Sequence, residues 1–279
     1  MNNCLAHLSD SHLVAIQEIY RLIQYQADQL FDESPIDLLE HVILFGPYAR
    51  KTIGSVSDED ACFVLIILNK KYQESGLELS SAVEEKAVRY TRLPVSVIAL
   101  SNDQVMEDAH LPKHWIKKVA QEGIFLLSNK KNFILPEIID DHHDMNHYCD
   151  LYQVTSINEY FIDCDRSINR HDYKLASFYL HQAVEAIYKY LLKYISGCQV
   201  ETKNILSLHR LALEFITDFP VLEKVFVPDS KIRKRCFERF SDASYKARYS
   251  DCYQMNQDEI VWLRDEAEVL KKHFFQAIE

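Results

Sequence analysis

The sequence predicts an α+β protein of two domains: a mixed sheet with flanking helices over residues 1–140, then an all-α bundle over residues 141–279. Three observations carry this. Short apolar runs alternate with helical periods as far as about residue 128, the pattern of a sheet covered by helices. Beyond about residue 150 only helical periods remain. Between them, a polar stretch with Pro136 and Asp140-Asp141-His142-His143-Asp144 reads as a connection. A chain of 279 residues suffices for two domains of ordinary size.

The elements follow in order. Leu13, Ile16, Ile19, Tyr20, Ile23 and Ala27 fall at helical spacing and predict a helix over 12–33, capped by Ser9-Asp10-Ser11 and ended by Ser34-Pro35. His41 to Gly46 reads as a strand ending at a turn. Ala61 to Leu68 is apolar throughout, as a strand buried on both faces must be. A helix over 77–91, a strand from Val95 to Leu100, a helix over 113–122 and a short strand from Ile124 to Leu127 complete the first domain. In the second, helices are expected over 150–169, 172–196, 203–217, 230–246 and 257–276. The apolar stripe Leu175, Tyr179, Leu180, Ala183, Val184, Ile187, Leu191 and Ile195 marks the second of these, and Gly197 stops it. Short connections favour antiparallel packing of the five.

No apolar run reaches the ~18 residues of a membrane span, and Met1 to Asp10 carries no Lys or Arg and no apolar signal core, so a cytoplasmic protein is expected. The seven cysteines are odd in number and include no Cys-x-x-Cys, which suits reduced, partly buried thiols. A formal charge of −11 argues against indiscriminate nucleic-acid coating. It leaves room for one basic face, where Lys231, Arg233, Lys234, Arg235, Arg239, Lys246 and Arg248 outnumber Glu238 and Asp242. That helix, 231–248, is either a solvated face or an RNA contact.

The densest chemistry lies between Gly46 and Asp60. Asp58 and Asp60, at i and i+2 on a strand, point to one side and form a hard-oxygen pair suited to Mg²⁺. Gly46 lets backbone approach phosphates, and a helix starting at Tyr48 or Ala49 would aim its N–H groups at them, with Arg50 neutralising charge. Alone, Asp-x-Asp is equally a solvated turn. The spacing is more specific. Gly46-Pro47, ten residues, then Asp58-Glu59-Asp60 resembles the DNA polymerase β-type nucleotidyltransferases, whose signature is Gly-Ser, ten residues and Asp-x-Asp. The resemblance spans about residues 10–130. It implies Asp58 and Asp60 as metal-binding, catalytic acids, with Gly46, Pro47, Tyr48, Arg50 and Lys51 on a nucleoside triphosphate. Two departures matter. Pro47 replaces the serine and removes a hydroxyl and an N–H. The next strand, Pro94 to Ile98, lacks the family's third carboxylate and places Val95 or Ser96 there. Activating an acceptor hydroxyl is harder without it.

The second half has its own constellation. Ala176 to Ala186 with Tyr188-Lys189, then Leu208-His209-Arg210-Leu211 and Ala247-Arg248-Tyr249, resemble the HEPN domains over about residues 148–276. The order of the halves is similar to fused nucleotidyltransferase–HEPN proteins. The resemblance implies a homodimer through the helical domain. Ribonucleases of this family use Arg, four to six residues, then His. Here Arg248-Tyr249-Ser250-Asp251-Cys252-Tyr253 puts Tyr253 at the histidine position, and no histidine follows in range. A phenol with a reference pKa of ~10 is a poor general acid–base at neutral pH. Arg248 is a phosphate contact or a structural ion pair. In similar paired systems the transferase modifies a HEPN tyrosine, which would make Tyr249 or Tyr253 the acceptor. His181 and His209 read as satisfied, partly buried histidines.

His142, His143 and His147 with Asp140, Asp141 and Asp144 could hold a metal, but a polar linker is the better account of them. The leading expectation is a magnesium–nucleotide-binding protein with weakened nucleotidyl transfer. A non-catalytic nucleotide-binding or interaction scaffold is the alternative, and a HEPN ribonuclease the third reading.

Overall fold

The computed structural model describes residues 5–30, 38–50, 56, 60–106, 114–129 and 151–278. The chain divides into two compact units, residues 1–140 and 141–279.

The first unit is a four-stranded mixed sheet with helices. Helix α1 (Asp10–Leu30) leads into β1 (Leu39–Phe45), then β2 (Cys62–Leu68), α2 (Gly76–Thr91), β3 (Val95–Ser101), the short α3 (Asn102–Met106), α4 (His114–Glu122) and β4 (Ile124–Ser128). The sheet order is β3-β2-β1-β4. β1 runs antiparallel to β2 and β4, and β2 runs parallel to β3. Every residue of β1 and β2 is buried; β2 is apolar throughout, as a strand covered on both faces must be, while β1 also buries Glu40 and His41 at its start. One sheet face, with Val42, Leu44, Val64, Ile66, Val95 and Val97, packs against Ile16, Ile19, Ile23 and Ala27 of α1 and Leu79, Val83 and Ala87 of α2. Alternation turns Ile43, Phe45, Phe63, Leu65 and Ile67 to the other face. The chain leaves α4 on that side, where a Cβ on Gly123 would stand 2.8 Å from Ile43 Cγ2.

β3 is an edge strand, and α2 covers it. The Val97 N–H donates to Glu84 Oε1 at 2.8 Å, which satisfies an edge donor with a buried carboxylate. Gly76 opens α2 against the same strand, where a Cβ would lie 2.7 Å from Ala99 O.

The second unit consists of helices. They are α5 (Leu151–Asn169), α6 (Tyr173–Leu191), α7 (Ile205–Phe215), α8 (Lys231–Phe240), α9 (Ala243–Tyr249) and α10 (Gln257–Ile278). α6 is central and packs against α5, α7, α9 and α10. It buries Ala176, Leu180, Ala183, Val184, Ile187, Tyr188 and Leu191. Caps set the boundaries: Asp172 accepts from Leu175 N at 3.0 Å, Asn204 from Ser207 N at 3.0 Å and Ser230 from Arg233 N at 3.2 Å. Asn256 and Glu259 cap α10 reciprocally, each side chain accepting from the other's N–H.

The structure departs from the sequence reading in four places. The helix expected over 230–246 is two helices, α8 and α9. The Ser241 hydroxyl donates to Glu238 O at 2.7 Å and Asp242 opens α9, so two residues that compete for backbone bonds break the run. The helix expected to 196 leaves α geometry after Leu191 and finishes as a π turn, Leu192–Ser196, with Gly197 at φ 76°. Leu175, placed on the buried stripe, is 38% exposed. Gly46–Tyr48 form a 3₁₀ turn, in place of an α-helix starting at Tyr48 or Ala49.

Candidate functional site

The register of the sheet gathers the first set of residues. Phe45 pairs with Phe63 across β1 and β2, so the turn after β1 and the residues entering β2 emerge at one end of the sheet. β3 runs parallel to β2 with Ser96 opposite Phe63, which brings its start to the same end. Gly46, Asp60 and Ser96 thus lie at one end of the sheet, on three neighbouring segments. The rings of Phe45 and Phe63 stack at 5.5 Å at the same end.

Gly46 sits at φ 73°, in the left-handed region, and turns the chain sharply as it leaves β1. Its carbonyl accepts the N–H groups of Ala49 at 2.9 Å and Arg50 at 3.1 Å, so those two donors are spent within the turn. Pro47 occupies the start of the 3₁₀ turn and is half-buried. The Tyr48 side chain is fully buried, packed edge-on to His12 at 5.3 Å, while its carbonyl lies 3.2 Å from His7 Nε2. Tyr48 therefore supports the turn from below and turns no ring outward. Arg50 Nε donates to Glu122 Oε2 at 3.0 Å, an ion pair tying the turn to the end of α4.

Asp60, expected on a strand, is instead half-buried in a bend two residues before β2, a further departure from the sequence reading. Asp58 and Lys51 lie outside the described residues, as do Asp140, Asp141, His142, His143, Asp144 and His147. Among the described residues no group of three or more His, Cys, Asp or Glu forms a metal-binding cluster. Ser96 is fully buried, and its Oγ has no hydrogen-bond partner among the described residues. Val95 and Ser96, the two positions where a third acid would fall, are both buried, one apolar and the other a small hydroxyl.

In the helical unit Arg248 lies exposed on α9. Its Nε donates to Ser244 O at 2.9 Å, and its guanidinium stands over the rings of Phe178 at 5.0 Å and Tyr249 at 5.1 Å. Neither a carboxylate contact nor a phosphate is needed to hold it. The two tyrosines expected as acceptors differ sharply. Tyr249 is 65% exposed and pairs with Tyr245, 66% exposed, at 5.0 Å between rings. Tyr253 is buried, and that burial pushes its phenol up to about 12, with the nearby Ser177 hydroxyl opposing the rise.

His181 is wholly buried. Its Nε2 lies 3.2 Å from Ser241 O and its Nδ1 3.6 Å from Glu185 Oε2, and desolvation lowers it to about 4. His209 is likewise lowered to about 4 by burial, and its Nδ1 meets the Tyr188 hydroxyl at 2.8 Å. Both are neutral structural histidines at pH 7. On the basic face, Arg233 pairs with Asp229 at 2.8 Å, Arg239 with Glu259 at 2.7 Å and Lys246 with Asp242 at 2.6 Å. Lys231, Lys234 and Arg235 remain exposed on α8. Cys62, Cys164, Cys198 and Cys236 are buried thiols whose pKa burial raises, while Cys252 is exposed.

Sequence reading missed two participants. Glu122 claims Arg50 from 72 residues away, and nothing local signals that. Tyr245 joins Tyr249 on one helical face, which their i, i+4 spacing does signal.

Residues 158–274 match the HEPN domain model, so the second unit carries a HEPN domain. No curated protein matches the chain. No helix among the described residues is long and apolar enough to cross a membrane.

Proposed function

We propose that the first unit is a nucleotidyltransferase-like domain that binds a magnesium–nucleoside triphosphate and transfers its nucleotidyl group poorly or not at all. The observation that carries this reading is the placement of Gly46, Asp60 and Ser96 at one end of the sheet. The donor set suits magnesium in part: Asp60 and Asp58 would hold the ion, which neutralises triphosphate charge when bound. Gly46 supplies the close backbone approach, and Arg50 supplies positive charge once Glu122 releases it. Poor transfer follows from Ser96. A buried hydroxyl in that position cannot serve as a carboxylate base toward an acceptor.

Calorimetric titration of the four nucleoside triphosphates, with and without Mg²⁺, tests the reading on wild type and on Asp58→Asn/Asp60→Asn. Magnesium-dependent binding lost in the double variant is expected. Absence of binding in both proteins would favour a non-catalytic scaffold. Rapid transfer abolished by Asp58→Asn would overturn the weak-transfer part.

A second reading concerns the HEPN domain. The exposed Tyr245–Tyr249 pair beside Arg248, with Lys231, Lys234 and Arg235 on the preceding helix, supports an RNA contact over 231–248 by base stacking and phosphate attraction. A salt-dependent RNA affinity reduced by Tyr249→Ala is its test. Homodimerisation through this domain is part of the proposal, and light scattering that returns only a monomer mass would refute it. A cytoplasmic location is proposed with it.

A further inference from the structure

Apart from both sites, the helical unit carries a cleft of about 470 Å³, within the ~300–1,000 Å³ range of small-molecule pockets. Tyr160 of α5, Gln182, Glu185 and Lys189 of α6, Lys193 of the π turn and Glu201 beyond it contribute to its lining. The charges sort into two kinds. Glu185 Oε1 and Lys189 Nζ are 2.9 Å apart and neutralise each other, and Lys189 also reaches Glu201 O at 3.4 Å. Lys193 and Glu201 line the same cleft with opposite charge, yet no ion pair joins them. Among the described residues neither side chain meets a charged partner, and the Lys193 ammonium lies 5.2 Å over the Tyr194 ring.

The position of Lys193 is fixed by its backbone. The π turn Leu192–Ser196 is closed by Gly197 at φ 76°, by Cys198 N–H on Leu192 O at 2.9 Å and by Ser196 Oγ on the same carbonyl at 2.6 Å. Lys193 is half-buried and Glu201 exposed, so a ligand of one sign would meet one of the two charges and be repelled by the other, whereas a ligand carrying both signs is matched by both. We propose that this cleft binds a small zwitterion of the α-amino-acid class, its carboxylate on Lys193 and its ammonium on Glu201, with Gln182 and Tyr160 facing its side chain.

Saturation-transfer NMR on the full chain with each of the twenty common L-α-amino acids tests this, followed by calorimetry on responders. At least one responder is expected. Blocking it as its N-acetyl or carboxamide derivative should weaken binding by about ten-fold, the loss of one charge contact. Lys193→Gln and Glu201→Gln should each do the same, with unchanged circular dichroism and melting temperature. No response from any amino acid overturns the proposal. So do blocked derivatives that bind as well as the free one, or binding that survives both substitutions. Should a variant fail to fold, the blocked ligands on wild type decide.

Discussion

Arg50 Nε donates to Glu122 Oε2 at 3.0 Å, so the arginine that follows the Gly46 turn is engaged by the end of α4. Both side chains keep solvent contact, at 37% and 25% exposure, and such pairs are weak enough to exchange partners. A triphosphate arriving at the turn would compete with Glu122 for the guanidinium. Glu122→Gln is therefore expected to tighten nucleotide binding by up to about five-fold, and Arg50→Ala to weaken it. Titration of both variants measures this, and equal affinity in all three proteins would remove Arg50 from the site.

Gly46 leaves β1 at φ 73°. Alanine there meets the left-handed penalty of about 1–2 kcal/mol. Gly46→Ala should lower the unfolding free energy of the first unit by that amount. Trp115 fluorescence during urea unfolding, in a Trp262→Phe background, isolates that unit from the second. An unchanged midpoint would mean the turn relaxes at no cost.

The buried Glu84 carboxylate accepts the edge N–H of Val97 at 2.8 Å. Glu84→Ala leaves that donor without its partner, at about 1–3 kcal/mol. Glu85→Ala, one residue on, removes only the exposed pair with Arg89 and should stay within about 0.5 kcal/mol of wild type. Equal losses in the two variants would contradict the role given to Glu84.

His181 is lowered from 6.5 to about 4 by burial, so the unfolded chain binds a proton in a range where the folded one does not. The stability this contributes is complete above pH 6.5 and is lost as pH falls toward 4, by at most on the order of 3 kcal/mol. His209 shifts the same way, but its residue surface is only half-buried, so its share is smaller. Urea unfolding at pH 7.5, 6 and 5, followed by Trp262, should show falling stability of the second unit. His181→Gln should flatten that slope.

Tyr253 occupies the histidine position of the ribonuclease pattern, and it is buried. Wild type should leave RNA intact. Tyr253→His should not create a ribonuclease either, because an imidazole there would face protein and not solvent. Cleavage of single-stranded RNA by Tyr253→His at pH 7 would show that the site opens.

Much of this architecture follows from local pattern. The short apolar runs of β1 and β2, the period of 3.6 in α1 and α6, and polar caps such as Asp172 and Asn256 are written in neighbouring residues, because backbone hydrogen bonding and burial act over one or two turns. The Gly46–Asp60 spacing and the Arg248–Tyr253 segment were legible for the same reason. The break at Ser241–Asp242 was not, since the apolar stripe runs across it and only the side-chain bond to Glu238 reveals it.

What the tertiary structure alone decided is which groups are free to act. It tied Arg50 to Glu122 across 72 residues, buried Tyr48 and Tyr253, left Tyr249 open and set Ser96 at the same end of the sheet as the Gly46 turn, with β2 between them. It also placed Lys193 and Glu201 on one cleft without joining them. Residue type fixes what a side chain can do. Its protonation, partners and access depend on segments distant in sequence, because desolvation and ion pairing are set by whatever the fold brings within a few ångströms.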